Sequence, residues 1–173
     1  MTEFILKITT LGEGGVGKTT LLHNYIDRKF WEDTRLTIGV EFFLEGINIG
    51  GKRVKLQVWD FGGQEQFKFL HDYYVAGVKG GLLMFDLTRP LTIEKLDDWV
   101  NLVRKVSKNA PLILIGTKKD MIESVSVSDD IALKYKKKYN CIDYVKTSAK
   151  TGENVDLVFE TLAKAIITQG LKD

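Results

Sequence analysis

Four glycines, a lysine and a threonine recur at fixed intervals in Gly12-Glu13-Gly14-Gly15-Val16-Gly17-Lys18-Thr19. The apolar run Phe4–Leu11 precedes this stretch, and Leu21, Leu22, Tyr25 and Ile26 follow it at helical spacing. A strand, a glycine-rich turn and a helix N-terminus in that order suit the binding of phosphate. Glycines adopt unusual dihedrals and carry no side chain, so backbone N–H groups can turn inward around an anion, and the helix end adds partial positive charge. Lys18 is placed to reach the β and γ phosphates of a nucleotide, and the Thr19 hydroxyl to ligate Mg²⁺. Gly14, Gly15, Val16, Gly17, Lys18, Thr19 and Thr20 form the expected nucleotide-binding stretch.

Three further clusters each follow a run of strand character. Asp60 stands at the end of residues 52–59 and precedes Phe61-Gly62-Gly63-Gln64. With a phosphate loop upstream, such an acid is placed to hold Mg²⁺ through a water, and Gln64 sits where it can orient a water toward the γ phosphate. Thr117-Lys118-Lys119-Asp120 and Ser148-Ala149-Lys150 follow two later runs. A carboxylate at Asp120 can accept from guanine N1–H and its 2-amino group, a donor pair that adenine lacks, while the Ala149 N–H can meet the guanine oxygen. Either short cluster alone is better explained as a helix-capping loop. Their order behind the phosphate loop favours a guanine site instead.

These residues need a scaffold, and the hydrophobic pattern supplies one. Val40–Ile49 and residues 52–59 are strands joined at Gly50-Gly51, a hairpin signal. Gly80–Asp86 and residues 111–116 are continuous apolar runs of the buried parallel kind, separated by a helix that carries Leu96, Trp99, Val100, Val103 and Val106 on one face. Residues 126–139 form another helix, with Ser128 as its N-cap, and 142–145 a short strand. Val155, Val158, Phe159, Leu162, Ala163, Ile166 and Ile167 mark a long final helix, whereas 28–39 has no period and reads as a functional loop. The expected fold is α/β: a mostly parallel six-stranded sheet with one antiparallel edge strand, helices on both faces, and residues 1–173 forming one domain. Ligand sites in such folds lie at the carboxyl ends of strands, where every cluster above falls.

Composition narrows the partners. A net charge of +2 over 173 residues argues against nucleic acid. Lys134, Lys136, Lys137 and Lys138 are expected to be a solvated helix end. One cysteine, Cys141, excludes an internal disulfide and suits a reducing compartment and a place in the core. No run has the length of a membrane span, and the end of the chain carries no cysteine for a prenyl group, so a cytoplasmic monomer without its own membrane anchor is expected. Peripheral membrane association would need a lipidated tail beyond this sequence or a recruiting partner.

Taken together, these motifs resemble those of Ras-superfamily small GTPases along essentially the whole chain, with the P-loop NTPase G-domain fold. The Rab branch is the best match, through Thr37-Ile38-Gly39-Val40-Glu41-Phe42, Trp59 before Asp60, and Tyr73-Tyr74. The resemblance implies a slow GTPase that switches between GTP and GDP, with Lys18, Thr37 and Gln64 in catalysis and Thr19, Thr37 and Asp60 (through water) around Mg²⁺. It also implies that Phe30 lies on the guanine, that the Gly63 N–H meets the γ phosphate, and that Thr117, Lys118, Asp120, Ser148, Ala149 and Lys150 hold the base. Effectors would read the switch loops with Phe42, Trp59 and one of Tyr73 or Tyr74, and an exchange factor and a GTPase-activating protein would act on the cycle, in trafficking or membrane-related regulation. The chain departs from the Rab pattern at three places. Phe61-Gly62 stands where Rabs usually have Thr-Ala, the glycine pair Gly62-Gly63 before Gln64 resembling Arf proteins instead; Thr117 at the start of the guanine motif resembles Rho proteins; and Glu13 brings a negative charge near the phosphates with solvent as one outlet for its side chain. A divergent or archaeal-type Rab-like chain fits that mixture. A phosphate-transferring kinase would need an acceptor site and an arginine-rich lid, which residues after Asp60 do not offer. A scaffold without hydrolysis fits poorly with intact Lys18, Thr19, Thr37, Asp60 and Gln64.

Overall fold

A computed structural model describes residues 3–30, 39–62 and 68–172. Six strands, β1 (Phe4–Leu11), β2 (Val40–Ile49), β3 (Lys52–Phe61), β4 (Gly80–Asp86), β5 (Leu112–Thr117) and β6 (Asp143–Lys146), form one sheet in the order β2-β3-β1-β4-β5-β6. β2 runs antiparallel to β3, and the remaining pairs are parallel. The helices are α1 (Lys18–Asp27), α2 (Lys68–Val75), α3 (Leu91–Glu94), α4 (Leu96–Val106), α5 (Asp129–Lys138) and α6 (Val155–Gly170), with a 3-10 turn at Ile122–Ser124.

The continuous apolar runs of β4 and β5 follow from burial on both faces. Leu82 and Met84 of β4 join Ile113 and Ile115 of β5 under α1 and α6, where Leu22, Phe159 and Leu162 are fully buried. Leu83 and Phe85 point to the opposite face with Leu112 and Leu114, against Val75 of α2, Ile93 of α3, Leu96, Trp99 and Val103 of α4, and Ala132 of α5. β3 has one such face: Val54, Leu56 and Val58 are buried while Lys55, Gln57 and Trp59 are half-exposed. Gly50 and Gly51 make the β2–β3 turn with φ of 55° and 77°, the left-handed pair that a tight hairpin matching strand twist requires.

The expected elements are present with shifted ends. α1 begins at Lys18, β3 continues through Asp60 to Phe61, and β6 spans Asp143–Lys146. Ser128 caps α5 by accepting from the Ile131 N–H at 3.3 Å. Cys141 is buried, and burial pushes its thiol up to about 11. Lys136, Lys137 and Lys138 end α5, where cations complement the helix dipole. α2 and α3 are absent from the pattern-based reading. α2 has two turns and buries only His71 and Val75, and α3 is a single turn, so neither is long enough to repeat an apolar stripe.

α1, whose N-terminus carries the phosphate loop, is seated largely through α6. Tyr25 stacks on Phe159 with ring centroids 3.8 Å apart and planes 9° from parallel. Phe159→Ala would leave a cavity under this stack, and a stability loss of about 3–5 kcal/mol is expected from urea denaturation.

Candidate functional site

The phosphate loop closes directly over β4. A Cβ on Gly12 would lie 2.2 Å from the Met84 carbonyl oxygen, and Gly12 has φ of 145°, so no other residue fits without moving the sheet. Gly17 precedes α1 with no side-chain cap bond, which leaves the first amides of the helix open toward an anion. Lys18 curls back beneath the loop, its Nζ donating to the carbonyls of Gly12 at 2.6 Å and Glu13 at 2.9 Å. Burial lowers its pKa to about 8 against the opposing charges of Asp60 and Glu13, so an added phosphate would favour the charged form.

Asp60 is fully buried at the end of β3, opposite Thr10 of β1 in the parallel register. Thr10 Oγ1 donates to Asp60 Oδ1 at 2.7 Å, while Thr19 Oγ1 donates to Oδ2. Burial raises the Asp60 pKa, and these two hydroxyls together with Lys18 oppose the shift. The converging oxygens of Thr19 and Asp60 are the hard donor set that Mg²⁺ takes, and the residues fit that ion.

The two base-directed loops meet each other and the phosphate loop. Ser148 Oγ donates to Asp120 Oδ1 at 2.8 Å, and Asn24 Nδ2 of α1 donates to the Ala149 carbonyl at 2.9 Å. Thr117 Oγ1 lies within donating reach of the Val16 carbonyl at 2.6 Å and the Phe85 carbonyl at 3.0 Å, so its short side chain ties β5 to the phosphate loop. Lys118, in the left-handed region at φ of 64°, donates to the Gly15 carbonyl at 3.2 Å. Thr20 is half-buried in α1, Lys150 is exposed, and Phe30 is 41% exposed beyond the end of α1. Thr37, Gly63 and Gln64 lie outside the described residues.

Two features of the site escaped the motif reading. Asp86, fully buried at the end of β4, accepts from the Thr88 N–H at 2.8 Å and Thr88 Oγ1 at 2.6 Å. Its other oxygen pairs with Lys118 Nζ at 2.7 Å and Arg89 Nε at 3.1 Å, and Arg89 Nη2 reaches the Gly14 carbonyl at 3.2 Å. Burial acts to raise the Asp86 pKa, but the Lys118 and Thr88 donors outweigh it and the net shift is downward. An acid ending an apolar parallel strand was the available signal for this position. The second feature corrects the outlet assigned to Glu13. Its Oε1 accepts from Trp99 Nε1 at 3.1 Å, because the buried indole N–H of α4 needs an acceptor.

A patch of aromatic rings lies beside β2 and β3. Phe42 and Trp59 have centroids 4.9 Å apart, and Trp59 and Tyr74 5.2 Å. Tyr74 therefore completes the cluster, while Tyr73 meets only the edge of Tyr74 among the described rings and is 76% exposed.

The family model described as "Ras family" matches residues 7–168. The chain is 40% identical over 168 residues to Ras-related protein Rab-4A of Mus musculus, covering 96% of this chain and 77% of that protein. It is 39% identical to Ras-related protein Rab-4B of Rattus norvegicus, over 96% of this chain and 78% of the relative. Identity to Ras-related protein Rab-19 of Xenopus laevis is 34%, over 96% and 79% respectively.

Asp86→Ala would leave Lys118 and Arg89 without their shared anion, but both side chains keep access to water. The expected stability loss is therefore about 1–3 kcal/mol, below the cost of stranding a fully buried charge. Release of a fluorescent guanine nucleotide should accelerate about tenfold in the same variant, because the outer side of the phosphate loop loses its tether.

Proposed function

The chain belongs to the Ras family and is a GTP-binding, GTP-hydrolysing switch, and from that premise we propose how its own residues divide the work. Residues 1–173 act as one G domain. Gly14, Gly15, Val16, Gly17, Lys18, Thr19 and Thr20 take the phosphates. Phe30, Thr117, Lys118, Asp120, Ser148, Ala149 and Lys150 hold the guanine. The observation that carries this reading is the Asp120–Ser148 bond, which brings two loops 28 residues apart to a single point beside the phosphate loop. It presents a carboxylate whose second oxygen can take the paired donors of guanine.

Mg²⁺ bound by Thr19, Thr37 and, through water, Asp60 would neutralise charge on the β and γ phosphates. Lys18 stabilises the same phosphates, the Gly63 N–H meets the γ phosphate, and Gln64 orients the attacking water. Hydrolysis without help is slow, and an activating protein speeds it. With GTP bound, the segments around Thr37 and Gly63 order and present Phe42, Trp59 and Tyr74 to effectors, and an exchange factor restores GTP. The protein is a cytoplasmic monomer in trafficking or membrane-related regulation. Among the described residues no helix is long and apolar enough to cross a membrane.

Radiolabelled GTP separates this function from kinase chemistry, since label should appear as free phosphate and not on an acceptor. Asp120→Ala should weaken GDP binding at least about tenfold, because donors of the bound base lose a charged acceptor. ATP should remain a poor ligand throughout, and equal affinity of the wild type for ATP and GTP in calorimetry would refute the guanine site.

Gln64→Leu should bind GTP nearly as well as wild type, since the role proposed for this side chain is toward the attacking water and not the nucleotide. Its hydrolysis with an activating protein should fall by a factor on the order of 10³ or more. Single-turnover phosphate release measures this, and wild-type rates in the variant would remove Gln64 from the mechanism.

A further inference from the structure

The phosphate loop and the Gly62 backbone are joined through three side chains, Glu13, Trp99 and His71. Trp99 of α4 is 4% exposed and bonds Glu13 by its indole N–H, while Lys18 Nζ lies 5.7 Å from its ring centroid. On its other side His71 of α2 packs with centroids 5.0 Å apart and planes inclined by 40°. His71 is itself buried, and its Nε2 donates to the Gly62 carbonyl at 3.1 Å. The Gly62 N–H in turn donates to the Gly39 carbonyl at 2.8 Å, and the fully buried Phe61 ring sits 5.4 Å from His71. Both polar groups of Gly62 are thus tied, one toward the strand after residues 31–38 and one through His71 and Trp99 toward the phosphate loop.

We infer that Glu13, Trp99 and His71 are positioning residues for GTP hydrolysis, fixing the Gly62 backbone, two positions before Gln64 in the chain, against the phosphate loop. The inference rests on the role of Gln64 proposed above. None of the three touches the reacting atoms. Their effect passes through Gly62 on one side and the Glu13 backbone, a carbonyl partner of Lys18, on the other. Glu13 supplies a charge-assisted acceptor to an indole N–H that is otherwise costly to bury, which makes this contact stiffer than packing alone. A chain of contacts of this kind carries coupling only if perturbing its two ends is non-additive.

The test uses the full chain loaded with GTP and Mg²⁺, with single-turnover phosphate release, GDP dissociation and thermal melting measured on each variant. Trp99→Phe keeps the ring stack and removes the N–H, and Glu13→Ala removes the acceptor. Each should slow hydrolysis about tenfold. GDP dissociation should change by less than about twofold, the pattern of an interaction that matters for the chemical step and not for holding nucleotide. The double variant should be no slower than either single one. Glu13→Gln, which keeps an oxygen acceptor, should recover most of the lost rate, and His71→Phe, which keeps a ring without the donor to Gly62, should behave like Trp99→Phe. Multiplying effects in the double variant, wild-type hydrolysis in the single ones, or equal changes in hydrolysis and GDP release would each overturn the inference. A wild-type protein that binds GTP but releases no phosphate would overturn the proposed function itself, and the inference with it.

Discussion

Asp86 takes a negative charge into a position with no exposed surface, a cost of several kcal/mol unless its oxygens are satisfied. Four donors from three residues do so, and two of them belong to cations whose remaining N–H groups are directed at phosphate-loop carbonyls. The loop must present its N–H groups inward to an anion, so its carbonyls face outward and need donors of their own. Arg89 serves Gly14, Lys118 serves Gly15, the Thr117 hydroxyl reaches Val16, and Lys18 serves Gly12 and Glu13. The cradle is therefore shaped from behind, and Asp86 is the charge that keeps Arg89 and Lys118 in place.

That arrangement exploits the parallel sheet. β1 and β3 carry Thr10 opposite Asp60, and β4 and β5 carry Asp86 opposite Thr117, each pair near the carboxyl ends of its parallel strands. Each bears a polar side chain at the end of an apolar strand, and each is buried because helices cover both faces. Polar groups so placed are satisfied by one another and by the loops above, which gives them fixed directions before any ligand arrives. Preorganisation of this kind is what phosphoryl transfer requires of a protein, because most of its catalysis is positioning and charge stabilisation.

The face that carries α2 and α4 has a different character. Its core contains Phe61, Trp99, Tyr139 and the neighbouring His71, where the opposite face is mostly aliphatic. Aromatic rings with polar edges combine apolar area with a directional bond. Tyr139 uses its hydroxyl on Asp97 at 2.8 Å, as Trp99 uses its N–H on Glu13, so the first turn of α4 is bound twice to groups outside its own helix. Phe61, a departure from the Rab pattern, fills this core beside His71 and Tyr74.

The phosphate loop, the mostly parallel sheet with one antiparallel edge strand, the Gly50-Gly51 turn and the positions of the Asp120 and Ser148 loops after strands were legible from the chain, because each depends on residue type and spacing over a few positions. Local sterics and hydrogen bonding leave such segments few alternatives. The same logic could not find α2 or α3, whose one or two turns are held by packing and not by period. Nor could it choose Tyr74 over Tyr73, since the two are adjacent and only the direction of α2 against β3 distinguishes them. Glu13 and Trp99 are 86 positions apart, and Arg89 and Gly14 are 75 apart, so their pairing depends on where α4 and the end of β4 come to rest. The sequence by itself marked which groups are suited in type and spacing to a phosphate and a base; the tertiary structure decided which partners hold those groups still, because long-range contacts exist only after both faces of the sheet are covered.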